Sequence, residues 1–201
     1  MSTTPTVIKA KQRPGDRAFS GSAVFAGSMI LVTLAAVAPD VWTFDPDGVW
    51  PIEGGEAAQG TSGVVDAVTN GTGTIGYADA SRAGDLGTVS IKVGDEYVSY
   101  SPEAAAAVVD ASPLAEGRSE GDLAIEIDRT SEEAGVYPIV LVSYLIACGE
   151  YAESDNVELV KAYLSYLASP EGQETAATDA GSAPISDSLR EKVTAAIDSI
   201  K

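Results

Sequence analysis

Between Ala18 and Ala38 the chain carries no charged residue, and Phe19, Val24, Phe25, Met29, Ile30, Leu31, Val32 and Leu34 make the run apolar. As a helix it would extend roughly 30 Å, the thickness of a bilayer's hydrocarbon core. A helix packed against a water-soluble domain shows a polar face, and none is evident here. Lys9, Lys11, Arg13 and Arg17 precede the run against Asp16 alone, so of the net charge of −18 the part beyond Ala38 carries −21. Basic residues stay on the cytoplasmic side of a span. The expected order is therefore a disordered cytoplasmic head over 1–17, a transmembrane helix or signal anchor over 18–38, and an external body over 39–201. That places the protein at the cell membrane as a single-pass chain. Ala36-Val37-Ala38 also fits a secretory cleavage site, but Pro39 suits the peptidase poorly and the run is long for a signal, which favours an uncleaved anchor. Ala23 and Gly27 have small-xxx-small spacing, which the ordinary composition of such spans explains.

The chemistry open to the body is narrow. One cysteine, Cys148, allows no internal disulfide and no multi-cysteine metal site, and the absence of histidine removes the usual general base and zinc ligand. With no P-loop and no nucleophile elbow either, no catalytic residue, metal site or cofactor is expected, and the protein is not read as an enzyme. So acidic a surface repels nucleic acid. A small anion remains compatible with it, because helix N-termini and backbone amides bind oxyanions locally.

Elements alternate along the body. Gly60-Thr61-Ser62-Gly63-Val64-Val65-Asp66-Ala67-Val68 predicts a short helix capped by Thr61 or Ser62, with Val64, Val65 and Val68 on its apolar face. Asn70-Gly71-Thr72-Gly73 ends it; this run fits a glycosylation sequon but reads as a turn. Thr74-Ile75-Gly76-Tyr77-Ala78 predicts a buried central strand. Residues 88–93 and 96–99 flank Gly94-Asp95 as a hairpin, and Ser101-Pro102 opens a helix through Ala111. Residues 123–127 and 139–147 are predicted strands, with Cys148 a core thiol at the end of the second. Helices follow from Asn156 to Ala168, from Ser169-Pro170, and from Ser188, where Ser188 and Glu191 form a capping box ahead of the stripe Leu189, Val193, Ile197, Ile200. Pro39–Gln59, with Trp42, Phe44 and Trp50, is an aromatic-anchored loop. The pattern is that of an α/β domain.

Several of these segments, taken in order, resemble the phosphate-binding receptor of bacterial phosphate ABC transporters. They are Val49-Trp50-Pro51 with Gly54-Gly55, Gly60 to Val65, Thr74 to Asp79, Val136-Tyr137-Pro138-Ile139, Ser169-Pro170-Glu171-Gly172-Gln173 and Gly181-Ser182-Ala183-Pro184-Ile185-Ser186. The resemblance runs from about Ala38 to the C-terminus and implies a type II periplasmic-binding-protein fold, incomplete here and preceded by one transmembrane helix. Residues 11–17 and 27–38 instead resemble the head and first span of a permease subunit of the same transporter, as though two partners were joined near Ala38.

The resemblance implies inorganic phosphate as ligand and the permease subunits and membrane as partners, with no nucleic acid. In the family the phosphate-gripping groups come chiefly from the first half of the receptor, which has no counterpart here, so no residue role carries over. Thr61 and Ser62 alone stand where a helix start can hold an oxyanion, against the plainer role of N-cap. Arg82, Arg118 and Arg129 read as surface or hinge charges. Asp45 and Asp47 lack the later ligands of a calcium loop, and Glu132-Glu133 and Glu53 with Glu56 are exposed acidic pairs. The alternatives to a phosphate receptor are an interaction module that holds no ion and a fragment without function.

Overall fold

The computed structural model describes residues 2–5, 30–47, 50–52 and 58–201. In chain order these form β1 (Ser2–Pro5), helical residues 30–37 as α1, α2 (Gly60–Thr69), a 3-10 turn (Ala80–Arg82), β2 (Ile91–Val93), β3 (Glu96–Val98), α3 (Pro102–Ala111), β4 (Val140–Ser143), α4 (Ser154–Ala168), α5 (Pro170–Ala180) and α6 (Asp187–Asp198). Both ladders are two-stranded and antiparallel: β1 with β4, from Ser2 opposite Ser143 to Pro5 opposite Val140, and β2 with β3.

The core forms where α3, the segment 136–140 and the start of α6 meet. Ser101 caps α3 by accepting from the Ala104 amide at 3.1 Å, and Pro102 occupies the first turn, where an amide would have no partner. The helix then buries Ala104, Ala105, Val108 and Val109 along one stripe. Val136, Tyr137, Val140, Ala183, Ile185 and Leu189 close over that stripe. The Tyr137 amide donates to the Ala104 carbonyl at 3.0 Å, which fixes the segment to the helix. Fully burying a valine such as Val108 or Val140 contributes about 1.5–3 kcal/mol, so this junction is the main source of cohesion.

The C-terminal helices pack as a second group, α4 touching both α5 and α6. Leu189 and Ile197 are buried along the expected stripe of α6, with Val193 half-buried, and Ile200, just past its end, is buried too. Its cap lies two residues earlier than the capping box predicts: Ser186, not Ser188, accepts the Leu189 amide at 3.1 Å, and donates to Asp110 at 2.7 Å. That second bond ties α6 to α3, which a local sequence pattern does not reveal.

Other expectations are corrected in the same way. Residues 74–78 form no strand, so the predicted central strand is absent among the described residues, although Gly76 and Tyr77 are buried. Residues 123–127 make a single bridge, Leu114 to Ile125, instead of a strand. The run 139–147 is a strand only over Val140–Ser143, and Cys148 beyond it is exposed, not a core thiol. Of the expected head over 1–17, residues 2–5 form β1, and residues 1 and 6–17 lie outside the described residues.

Among the described residues no helix is long and apolar enough to cross a membrane. Residues 18–29 of the expected span, Ala23 and Gly27 among them, lie outside the described residues, as do Glu53 and Glu56. Helix α1 holds the last part of that span and buries Leu31 and Thr33.

Candidate functional site

Helix α2 carries both sequence candidates. Its N-cap is Gln59, extended and with no side-chain capping bond, so neither Thr61 nor Ser62 is the cap. Both lie within the first helical turn, Thr61 half-buried and Ser62 exposed. No acidic side chain occupies that turn. A helix start with no side-chain cap and no acidic neighbour is electrostatically suited to an anion. At the other end Asn70 and Thr74 satisfy the last carbonyls, the Asn70 amide group donating to Asp66 at 2.8 Å and the Thr74 hydroxyl to Val68 at 3.1 Å. The apolar face of α2 is only half covered, since Val64, Val65 and Val68 are all partly exposed.

Of the three arginines, Arg118 and Arg129 have partners for their side chains. Arg118 pairs with Asp122 at 3.3 Å on the surface. Arg82 closes the 3-10 turn, whose start Asp79 caps by accepting from the Ser81 amide at 3.1 Å. Arg129 is the unexpected one. It is half-buried and donates to the Pro138 carbonyl at 2.8 Å and the Val140 carbonyl at 3.3 Å. Those carbonyls are two residues apart on an extended chain and so face the same way, a spacing that the planar guanidinium fork spans. Burial lowers its pKa from the ordinary value, and nearby Tyr77 acts in the opposite sense.

Tyrosines surround this junction. Tyr137 is buried, and its ring meets that of Tyr100 edge-on at 5.8 Å. Burial raises the pKa of both; Asp79 and Glu103 add to the rise at Tyr100, and Tyr100 adds to it at Tyr137.

The motif segments turn out to be joints between backbones. Gly181 ends α5 in the left-handed conformation, where its amide donates to the carbonyls of Ala176 and Ala177, and a Cβ there would fall 2.6 Å from the Cβ of Ser81. Ser169 caps α5 through the Gly172 amide at 3.1 Å. Gln173, buried in that helix, donates to the Leu167 carbonyl at 2.8 Å and accepts from the Ile185 amide at 3.0 Å. The Trp42 ring meets Phe44 edge-on and Trp50 at a tilt, with ring centroids 5.3 and 5.2 Å away. The role of Gln173 had one sequence signal: an amide side chain at the start of an otherwise ordinary helix, followed by a loop needing a partner.

Of the remaining candidates, Asp45, Asp47, Glu132 and Glu133 are exposed. Among the described residues no group of three or more cysteine or carboxylate side chains is placed to hold a metal ion.

Comparison with known proteins gives the setting. A family profile described as a PBP superfamily domain matches residues 20–171, and so runs through the boundary expected near Ala38. The phosphate-binding protein PstS 3 of Mycobacterium leprae is 31% identical over 156 residues, covering 73% of this chain and 40% of that protein. The phosphate-binding protein PstS 3 of Mycobacterium tuberculosis (strain ATCC 25618 / H37Rv) is 26% identical over 152 residues, with the same shares of 73% and 40%. The chain thus spans less than half the length of these relatives.

Proposed function

The chain belongs to the PBP superfamily, with the α/β fold of that family, and we propose that it is the phosphate-binding component of an ABC-type phosphate importer. One observation carries the reading: the similarity to a phosphate-binding protein extends over 73% of the chain. The proposed mechanism is capture of phosphate and delivery to the permease, without catalysis. The anion contact is assigned to the first turn of α2, where Thr61 and Ser62 supply hydroxyls beside helix-start amides that no side chain caps.

Isothermal titration of the chain with inorganic phosphate tests this. Saturable heat that Thr61→Ala weakens is the expected result, and no heat at millimolar phosphate refutes independent binding.

A second reading, an interaction module that contacts transporter subunits without holding an ion, is favoured by one observation. Arg118 and Arg129 are engaged elsewhere, leaving neither guanidinium to grip an oxyanion. Co-purification with the permease subunits together with a silent phosphate titration selects it.

Tethering at the membrane by residues 18–38, with a cytoplasmic head, belongs to the same proposal. It carries a structural condition. A head across the bilayer from the body cannot pair with β4, so the tethered form requires β1 to leave the ladder it makes with Val140–Ser143. A Thr3→Cys chain expressed in cells decides between the two: protection from a membrane-impermeant thiol reagent supports the tethered form, with Cys148→Ser as background to silence the exposed native thiol.

A further inference from the structure

The sequence of β4 invites pairing with copies of itself. From Ile139 to Ala147 there is no charge, no proline and no glycine, and Val140 and Val142 favour strand. Segments of that composition join further strands wherever an edge stands open. In the fold, β1 covers one edge of β4 and Arg129 the start of the other. Residues directly opposite in an antiparallel ladder alternate between pairs that trade both backbone hydrogen bonds and pairs that trade none. Pro5 has no amide, so its pair with Val140 trades none, the pair Thr4 and Leu141 trades both, and the Val140 carbonyl faces the far edge. There the Arg129 guanidinium donates to it at 3.3 Å and to the Pro138 carbonyl at 2.8 Å. The two covers differ in kind. Arg129 is half-buried and held by two carbonyls, whereas β1 is four residues long, uncharged and closed by a proline, the features with which proteins blunt an edge. Among the described residues it is the only strand paired with β4, and it lies outside residues 20–171, so the matched family domain does not itself supply this cover.

We propose that Ser2–Pro5 is an intramolecular guard of the β4 edge, and that its release lets β4 pair with β4 of a second copy of this chain. A second copy fits because a two-fold axis beside the edge presents Val140–Ser143 of each chain to the other in antiparallel sense. Leu141 and Ser143 then regain the kind of backbone partners that Thr4 and Ser2 supply in the guarded form. The two chains are strongly negative and repel, so the pairing strengthens as salt screens them. The tethered form proposed above needs β1 to leave, which makes it a self-pairing form. The guard itself depends on neither the anchor nor phosphate.

The test compares the full chain with its Thr4→Pro variant, which lacks the amide facing Leu141. At dilution the variant should keep its circular dichroism while the amides of Leu141 and Ser143 exchange hydrogen faster. With rising concentration it should sediment as a dimer, with a dissociation constant at least about tenfold below that of the unaltered chain, and those amides should become protected again. Adding Leu141→Lys, at an exposed side chain, puts a charge on the opened edge and should return the variant to a monomer. Association that Leu141→Lys does not reverse, that weakens as salt rises, or that the unaltered chain shows equally overturns the proposal. A Thr4→Pro variant that stays monomeric with its edge open overturns the pairing, and unchanged exchange at Leu141 and Ser143 overturns the guard.

Discussion

Replacing Gly172 by alanine sets two physical effects against each other. Gly172 lies in the first turn of α5, and its φ is not in the left-handed region. Helix propensity alone therefore favours alanine by about 1 kcal/mol. Packing opposes this. A Cβ at position 172 would fall on the Tyr166 carbonyl oxygen, 3.0 Å from its carbon and 3.2 Å from the Cα of Leu167. That carbonyl is not free to retreat, because it accepts both the Ser169 amide at 3.0 Å and the Ser169 hydroxyl at 2.7 Å. Relief of the clash requires a backbone shift of about 1 Å, and overpacking of this kind costs about 1–3 kcal/mol. Disturbing the Ser169 bonds adds about 1 kcal/mol. The net expectation is destabilisation by roughly 2 kcal/mol, or a melting temperature lower by roughly 4–8 °C for a chain of this size. Urea titration followed by circular dichroism measures it as a shifted midpoint at unchanged slope. Gly87→Ala is the control, since a Cβ there meets nothing within 4 Å and no left-handed conformation is required. An alanine at 172 as stable as glycine would refute the reasoning that close approach, not turn geometry, fixes this residue.

Removing the fork at Arg129 should be similarly costly. Arg129→Met leaves the Pro138 and Val140 carbonyls without their donors and should cost roughly 2–4 kcal/mol in the same titration, while Arg129→Lys recovers only part, because an ammonium does not span both carbonyls as a planar fork does. Gln173→Leu, at a side chain only 6% exposed, strands the Ile185 amide and the Leu167 carbonyl and should lower stability by roughly 2–4 kcal/mol. Gln173→Glu should do no better, since a carboxylate accepts from Ile185 but faces the Leu167 carbonyl with no donor. The tyrosines set an alkaline limit: their folded pKa is raised above the ordinary 10.0, so the folded chain holds these protons more tightly than the unfolded one. Their contribution is complete below pH 10 and is lost as pH climbs from there through the folded values. Tyr137→Phe should flatten that loss, read from unfolding midpoints across the alkaline range alongside tyrosinate absorbance.

Local rules located most helices and few strands, and the reason is visible at particular residues. Ser101-Pro102 and Ser169-Pro170 start helices because the cap and the first-turn proline act within four residues of chain. The Gly94-Asp95 hairpin is local in the same sense, and β2 and β3 flank it as predicted, though shorter. The strands predicted over 74–78 and 139–147 need a neighbour from elsewhere, so local preference alone forms no ladder at 74–78 and only Val140–Ser143 of the second run. Ser186, not Ser188, is the cap, and its hydroxyl donates to Asp110, distant in sequence, which no local pattern shows. Arg129 was legible only as a charge, because its partners are carbonyls that no side-chain pattern announces.

The motif segments that carry the family resemblance make a coherent set once their contacts are known. Ser169, Gly172 and Gln173 fix the joint between α4 and α5 and reach forward to Ile185. Gly181 permits the approach of Ser81 at the end of the Thr74–Asp79 segment, and Ser186 ties α6 back to α3. Tyr137 and Pro138 bind Ala104 on one side and Arg129 on the other. Every one of these contacts joins backbone segments, and none requires a ligand. Such residues preserve a scaffold whatever it binds, so similarity concentrated in them identifies the fold more strongly than the ligand. If the proposed contact at Thr61 and Ser62 is right, the choice of anion is read there, by comparing titrations with phosphate and sulfate. A site built for the monohydrogen form of phosphate needs an acceptor for its proton as well as donors, and no acidic side chain occupies the first turn of α2. Phosphate bound without preference over sulfate would mean that this turn acts alone. A clear preference for phosphate would require a carboxylate from outside α2.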